Sequence, residues 1–283
     1  MKAGPDSYEQ QRLVYNQLIT WSMLGVLIFC WIPPMTAQSL FKEGEDWYTR
    51  RASGADSFRT SSTNIDKAIT AFESTEQEED DGYTPQPAIN LLQAYYFKGI
   101  YTDIDGSEQK RAFDKARALG EKMLEQYPQS AAIWYWYCKN LIEWDRMHNL
   151  WQTSIDRTDG KMRNAAQQVI ALDSTYQEGG GYRLLAQIHY ETPSILLVKG
   201  WPSKDEALKL IQKAMKVAPK NHANQLFYAR MLLHFGRNTE AKTQLQHILD
   251  MNPRDSHLVE DRYLKHQAEH LWQQHIEQSG EEE

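Results

Sequence analysis

The C-terminal half of this 283-residue chain repeats itself at a fixed interval: Ala207 and Ala241, Ile211 and Leu245, Ala214 and Ile248, and Pro219 and Pro253 each lie 34 positions apart. Within each set the apolar residues fall at helical spacing on one face, and the proline that follows ends the helix because it has no N–H to donate. A unit of this length holds two short helices and cannot hide its apolar face alone. It can do so only against the next unit, so the chain is expected to stack into a solenoid rather than fold around one globular core.

The same offsets recur upstream at Ala116, Met123 and Pro128, with Gly120 where a bulky apolar residue belongs. Trp134-x-x-Tyr137-Cys138-x-x-Leu141 then follows as a first helix of large, large, small and large positions. That frame puts Trp134 in the core, packs Cys138, and leaves Tyr135 and Trp136 to turn elsewhere. Second helices are expected over Met162 to Leu172, with Ala166 and Val169 inward, and over Asn64 to Thr75, with Ala68 and Phe72 inward. Pro87 to Gly99 and Phe41 to Ala52 read as first helices. The helix ends at Pro128, Ser174, Pro219 and Pro253 are separated by 46, 45 and 34 residues. Two units therefore carry insertions, around Trp144 to Thr158 and Glu191 to Ser203, projecting from one edge. Beyond the last unit, Asp255 to Gln278 predicts one long polar helix whose Leu258, Tyr263, Leu264, Leu271 and Trp272 turn inward as an end cap.

Period, small crossing residue and closing proline together resemble the tetratricopeptide repeat. The predicted fold class is all-α, a right-handed superhelical tetratricopeptide-type solenoid of about five helix pairs with a C-terminal capping helix. It occupies residues 38–283 as a single domain. Composition agrees: 41% hydrophobic and 24% charged residues are ordinary globular usage, and Gly and Pro bunch between long periodic stretches. A net charge of -7 without any Lys/Arg cluster argues against a nucleic-acid partner. Two cysteines, Cys30 and Cys138, are too few for a disulfide framework or a four-ligand zinc site.

Leu18 to Ile32 carries no charge, but a transmembrane helix needs roughly 20 apolar residues. Pro33 and Pro34 precede Thr36 and Ala37, as a helix breaker and small residues precede a signal-peptidase cut. Residues 1–37 are expected to be a signal peptide, giving a periplasmic or secreted protein of the cell envelope. The alternative keeps residues 18–32 as an uncleaved inner-membrane anchor, which would be the chain's one membrane contact. A lipid anchor on Cys30 is disfavoured by the bulky Phe29 and Trp31 beside it.

The concave face of such a solenoid is lined by first helices, here expected to present Tyr135, Lys139, Ile142, Arg183, Tyr190, Leu226, Arg230 and Leu233. Lys139, Arg183 and Arg230 are the cations of that row, and cations in the groove of a net-negative protein point to an anionic group, such as a carboxylate-bearing ligand or peptide. Solvation of these cations, or their pairing with Glu143 and Glu191, is the competing reading. His266-x-x-Glu269-His270 has the spacing of an inverted zinc-protease motif, with two imidazoles one turn apart and a carboxylate between. No third ligand suggests itself downstream, and a polar face of the capping helix explains the same residues. Gly179 to Gly181 lacks the strand, Lys and Ser or Thr of a phosphate loop and reads as a flexible junction between repeats. No catalytic triad and no cofactor motif are found.

Ala131-Ala132-Ile133-Trp134-Tyr135-Trp136, Gly179-Gly180-Gly181-Tyr182-Arg183 and Gly200-Trp201-Pro202-Ser203 ahead of Glu206-Ala207 resemble tetratricopeptide-like proteins related to the T component of tripartite ATP-independent periplasmic (TRAP) transporters. The resemblance spans most of Ser39 to Gln278. It implies helical repeats around a concave surface or central passage and an extracytoplasmic solute-binding protein as partner. The leading functional expectation is a non-enzymatic envelope scaffold that engages a partner protein or a small anionic ligand, without a cofactor. The alternatives are an exported zinc hydrolase using His266, Glu269 and His270, and a membrane-anchored cytoplasmic adaptor for peptide C-termini.

Overall fold

Helix pairs follow the repeat frame. The computed structural model describes residues 36–78, 84–148, 158–193 and 200–277. Among them lie eleven α-helices and no strand: α1 (Ala37–Thr49), α2 (Thr63–Glu78), α3 (Gln86–Tyr101), α4 (Gly106–Gln126), α5 (Ala131–Met147), α6 (Thr158–Leu172), α7 (Tyr176–Glu191), α8 (Lys204–Val217), α9 (His222–His234), α10 (Asn238–Leu249) and α11 (Leu258–Trp272). The first ten make five hairpins, each packed on the next. Residues 1–35, with Cys30 and most of the expected signal peptide, and residues 149–157 and 194–199, with the centres of both expected insertions, lie outside the described residues.

Local chemistry starts these helices where the sequence breaks. Asp105, Ser130, Ser203 and Asn221 each accept a backbone N–H from the first turn of α4, α5, α8 and α9. Each such cap is worth about 1 kcal/mol against alanine. The 34-residue partners do the same work in both units, since Ala207, Ala241, Ile211, Leu245, Ala214 and Ile248 are all fully buried. Ala68, Phe72, Ala116, Met123, Ala166 and Val169 are fully buried as well. Gly120 departs from the pattern because the Tyr137 ring occupies the space; a Cβ there would meet Tyr137 Cδ2 at 2.4 Å.

Four expectations need correction. Trp134 is only partly buried, its indole donating to the Pro128 carbonyl at 2.8 Å, whereas Tyr135 is 2% exposed. The register is rotated because Ile133 and Tyr137 fill the seam. Trp144 does not begin an insertion: α5 continues to Met147, and the buried Trp144 indole donates to Asp114 Oδ1 at 2.7 Å. Gly179 to Gly181 are buried and tightly packed rather than a flexible joint. A Cβ on Gly180 would lie 2.5 Å from the Tyr135 ring, and Gly179 turns the chain at φ +82°. Finally, Asp255–His257 is a 3₁₀ turn ahead of α11, whose deeply buried residues are Val259, Asp261 and Ala268, with Leu258, Tyr263, Leu264, Leu271 and Trp272 half-buried.

The capping helix does more than cover the last repeat. Ala268 joins the core of α9 and α10, while the fully buried Val259 belongs to the core of α2, α3 and α4. Arg51, 6% exposed, donates to Glu260 Oε1 through Nη2 at 2.7 Å and to the Ser256 carbonyl at 2.7 Å. Arg262 donates to the Ala55 carbonyl at 2.8 Å, His266 stacks on Phe58 at 4.1 Å, and Tyr263 meets Tyr101 edge-on at 5.4 Å. Helix α11 thus ties the last hairpin to the first, and the stack closes on itself.

Candidate functional site: a cavity inside the closed stack

Closure narrows the expected open groove to a half-open cavity of about 350 Å3. Its walls come from α3, α5, α7, α9 and α11. First helices supply all but the last, which follows from the repeat frame. Tyr135, Lys139, Arg183, Leu226 and Arg230 are brought together there. Tyr190 lies away from this lining, its ring against Phe227 and His234, with Lys204 Nζ 3.9 Å above it. Leu233 packs on the core of the last hairpin and Ile142 is 1% exposed, so neither reaches the cavity.

The two carboxylates nearest the cations both accept from Arg146, and Glu143 and Arg146 themselves line the cavity. Arg146, which the repeat frame does not single out, donates to Glu143 Oε1 at 2.6 Å and to Glu191 Oε2 at 2.5 Å. Burial raises the Glu143 carboxyl above its ordinary value despite Arg146. Arg183 instead donates to the Asn224 side-chain oxygen at 2.5 Å and to the Tyr135 hydroxyl at 3.0 Å, both neutral acceptors.

Lys139 sits inside an aromatic enclosure of its own chain. Its Nζ lies 3.9 Å from the Tyr96 ring centroid, 5.0 Å from that of Trp136 and 5.8 Å from that of Tyr135, distances at which a ring face attracts a cation. The Tyr135–Trp136 pair that resembles a ligand cage is therefore filled by a lysine. Burial lowers the Lys139 ammonium below its ordinary range, the Tyr135 hydroxyl pulling the other way. Burial alone would raise the Tyr135 hydroxyl, yet Lys139 and Arg183 outweigh it and hold the phenol below its ordinary value. A phenol that is easier to ionise when buried reports a positive local potential.

Asn224 was not foreseen. It is fully buried in α9, and its Nδ2 donates to the carbonyls of Glu178 at 3.0 Å and Ala214 at 3.2 Å. Asn140 in α5 has a parallel role, donating to Leu92 of α3 at 3.1 Å. The sequence signal for both is an asparagine at an otherwise apolar helical position, although the Asn140 side-chain oxygen accepts no hydrogen bond among the described residues.

Of the zinc-motif residues, His266 joins the closure and the other two are exposed. His266 is stacked on Phe58, His270 Nε2 faces the Gln274 amide at 3.2 Å, and Glu269 is exposed. Among the described residues no group of three or more His, Cys, Asp or Glu is placed to hold a metal ion.

These features define an all-helical tetratricopeptide-like solenoid closed around a polar cavity. Residues 205–259 match the family model described as tetratricopeptide repeat. A thermophilic TPR protein of Thermus thermophilus is similar in structure, with 14% identity, a TM-score of 0.56, and coverage of 83% of this chain and 100% of that one. MamA residues 41 to the end from Desulfovibrio magneticus align with 12% identity, a TM-score of 0.45, and coverage of 73% and 92%. The TPR2AB domain of yeast Sti1, in a complex with pHSP90, gives 13% identity, a TM-score of 0.28, and coverage of 82% and 98%. Among curated proteins, none matches.

Proposed function

We propose that this chain is a non-enzymatic binding scaffold whose internal cavity receives an anionic group, borne by a small molecule or by a partner protein. One observation carries the reading: among the described residues Arg183 faces the cavity with neutral hydrogen-bond partners, and the nearby Glu143 and Glu191 both accept from Arg146. A half-buried cation whose hydrogen-bond partners are neutral is stabilised by an arriving anion, through charge-assisted hydrogen bonds roughly twice as strong as neutral ones. Calorimetric titration with sodium sulfate and with sodium acetate at fixed ionic strength tests it. Saturable binding of either at a stoichiometry near one supports the proposal, and heats no larger than those of sodium chloride reject it.

The cell-envelope location belongs to the same proposal and rests on the uncharged segment 18–32 and the residues after it. Sequencing the N-terminus of exported protein tests it, with Gln38 expected as the first residue. Association with a TRAP-type transporter and its extracytoplasmic solute-binding protein rests on the sequence resemblance. Affinity capture from envelope extracts should recover such a protein, and its absence would remove that part.

A further inference from the structure

Arg183 differs from the other cations of the cavity in what holds it. Arg146 is oriented by carboxylates, which cancel its charge. Lys139 is held by ring faces. Arg230 is half-buried, as Arg183 is. Arg183 is fixed at two nitrogens by groups that are themselves fixed. Asn224 is fully buried, and its Nδ2 is turned to the carbonyls of Glu178, Ala214 and Ala218 at 3.0, 3.2 and 3.3 Å. The amide can therefore offer Arg183 nothing but its oxygen. Tyr135 is pinned by Gly180 beneath its ring and by the edge of Trp136 at 5.3 Å. A guanidinium carries five N–H donors in a rigid fork. Orientation is thus imposed by neutral acceptors while the charge stays available.

We infer that Arg183 is the anion-recognising group of the cavity and that Asn224 is the positioning residue that keeps its charge uncancelled. The inference rests on the cavity being an anion site. It explains why position 224 holds an amide rather than a carboxylate. Aspartate would face three carbonyl oxygens without a proton to give them, and it would neutralise the arginine it orients. It also ranks the cations: Arg183 is preorganised, so little conformational entropy is lost when it binds.

The test uses the full chain and the same two salts, sulfate and acetate, at fixed ionic strength. Arg183→Gln is expected to weaken the better-bound anion at least tenfold, and Arg183→Lys to weaken it too, because an ammonium cannot hold both Asn224 and Tyr135 in a planar fork. Gln187, one turn after Arg183, also lines the cavity. Gln187→Glu adds a carboxylate one turn from Arg183 without touching the buried amide, at the loss of the Gln187 bond to Glu191 Oε1 at 3.2 Å, and is expected to reduce anion affinity at least tenfold. Asn224→Asp should give the same loss. Where that variant does not fold, Gln187→Glu carries the charge argument alone. Anion binding by Arg183→Gln or Gln187→Glu within twofold of the unmodified chain overturns the inference and leaves the anion cavity standing. An unmodified chain that binds neither salt overturns both.

Discussion

Single side chains decide much here because helices approach closely where a glycine on one receives an aromatic ring from another. Gly99 receives Phe113 in this way, and a Cβ would lie 2.3 Å from the ring. Phe113 is fully buried and has nowhere to retreat, so Gly99→Ala is expected to destabilise by about 1–3 kcal/mol despite alanine's better helix propensity. Gly179 carries a different constraint, a φ of +82° directly after Gln177 and Glu178, also at positive φ. Gly179→Ala is expected to lower stability by about 1–3 kcal/mol, read from urea unfolding.

Asp261 supplies a pH signature. It is 1% exposed, and Arg254 donates to it from its backbone N–H and from its guanidinium at 2.7 Å. Burial alone would raise this carboxyl, but the Arg254 hydrogen bonds outweigh it and hold the group below the ordinary aspartate value. The depressed folded value means that its stabilisation is complete above the unfolded pKa of about 3.9 and is lost as pH falls through the lower folded value. Arg254→Ala leaves burial to dominate, so acid unfolding should begin at higher pH than in the unmodified chain. Such details were not legible in advance. Gly120 showed only as a break in the pattern, and its cause is the ring of Tyr137, brought in by the hairpin's fold.

Helices and their pairing were far more legible, because periodicity and capping residues are local. Ser130, Ser203 and Asn221 each stand just ahead of an apolar periodic stretch, and each caps a helix. The exception is α11. Its sequence reads as a polar cap, and nothing in a 34-residue period tells that Glu260 will meet Arg51, 209 positions away. Repeats encode contacts with the next unit, and closure is a contact between the first and the last. Arg51→Ala leaves Glu260 part-buried without its guanidinium and should destabilise by about 3–5 kcal/mol if the pair behaves as a buried one. Hydrogen exchange offers the sharper readout. Amides of residues 258–272 and 51–60 should lose protection together, while those of α5 to α8 keep theirs.

The cavity exists only because the entire stack curves far enough for α11 to reach α3. Five of the eight residues expected on the concave face line it, from α5, α7 and α9. Of the three that do not, Tyr190 and Leu233 sit near the ends of their helices, and Ile142 is turned into the core at 1% exposed. The aromatic wall of Tyr96, Tyr101 and Tyr263 was missed, as two of its rings lie on a helix whose partner across the cavity could not be inferred.

Helix α11 also sets a rule on length. An unclosed array can gain or lose one hairpin and merely grow or shrink, each addition stacking on a free end. Here the helix that completes the circuit is anchored by fixed partners on both sides, Val259 in the first core and Ala268 in the last. A sixth hairpin inserted between α8 and α9, or one removed, would carry α11 past its berth beside Arg51 and leave two raw edges where there is now a join. The number of repeats in this chain is therefore as much a part of its specification as any residue within them.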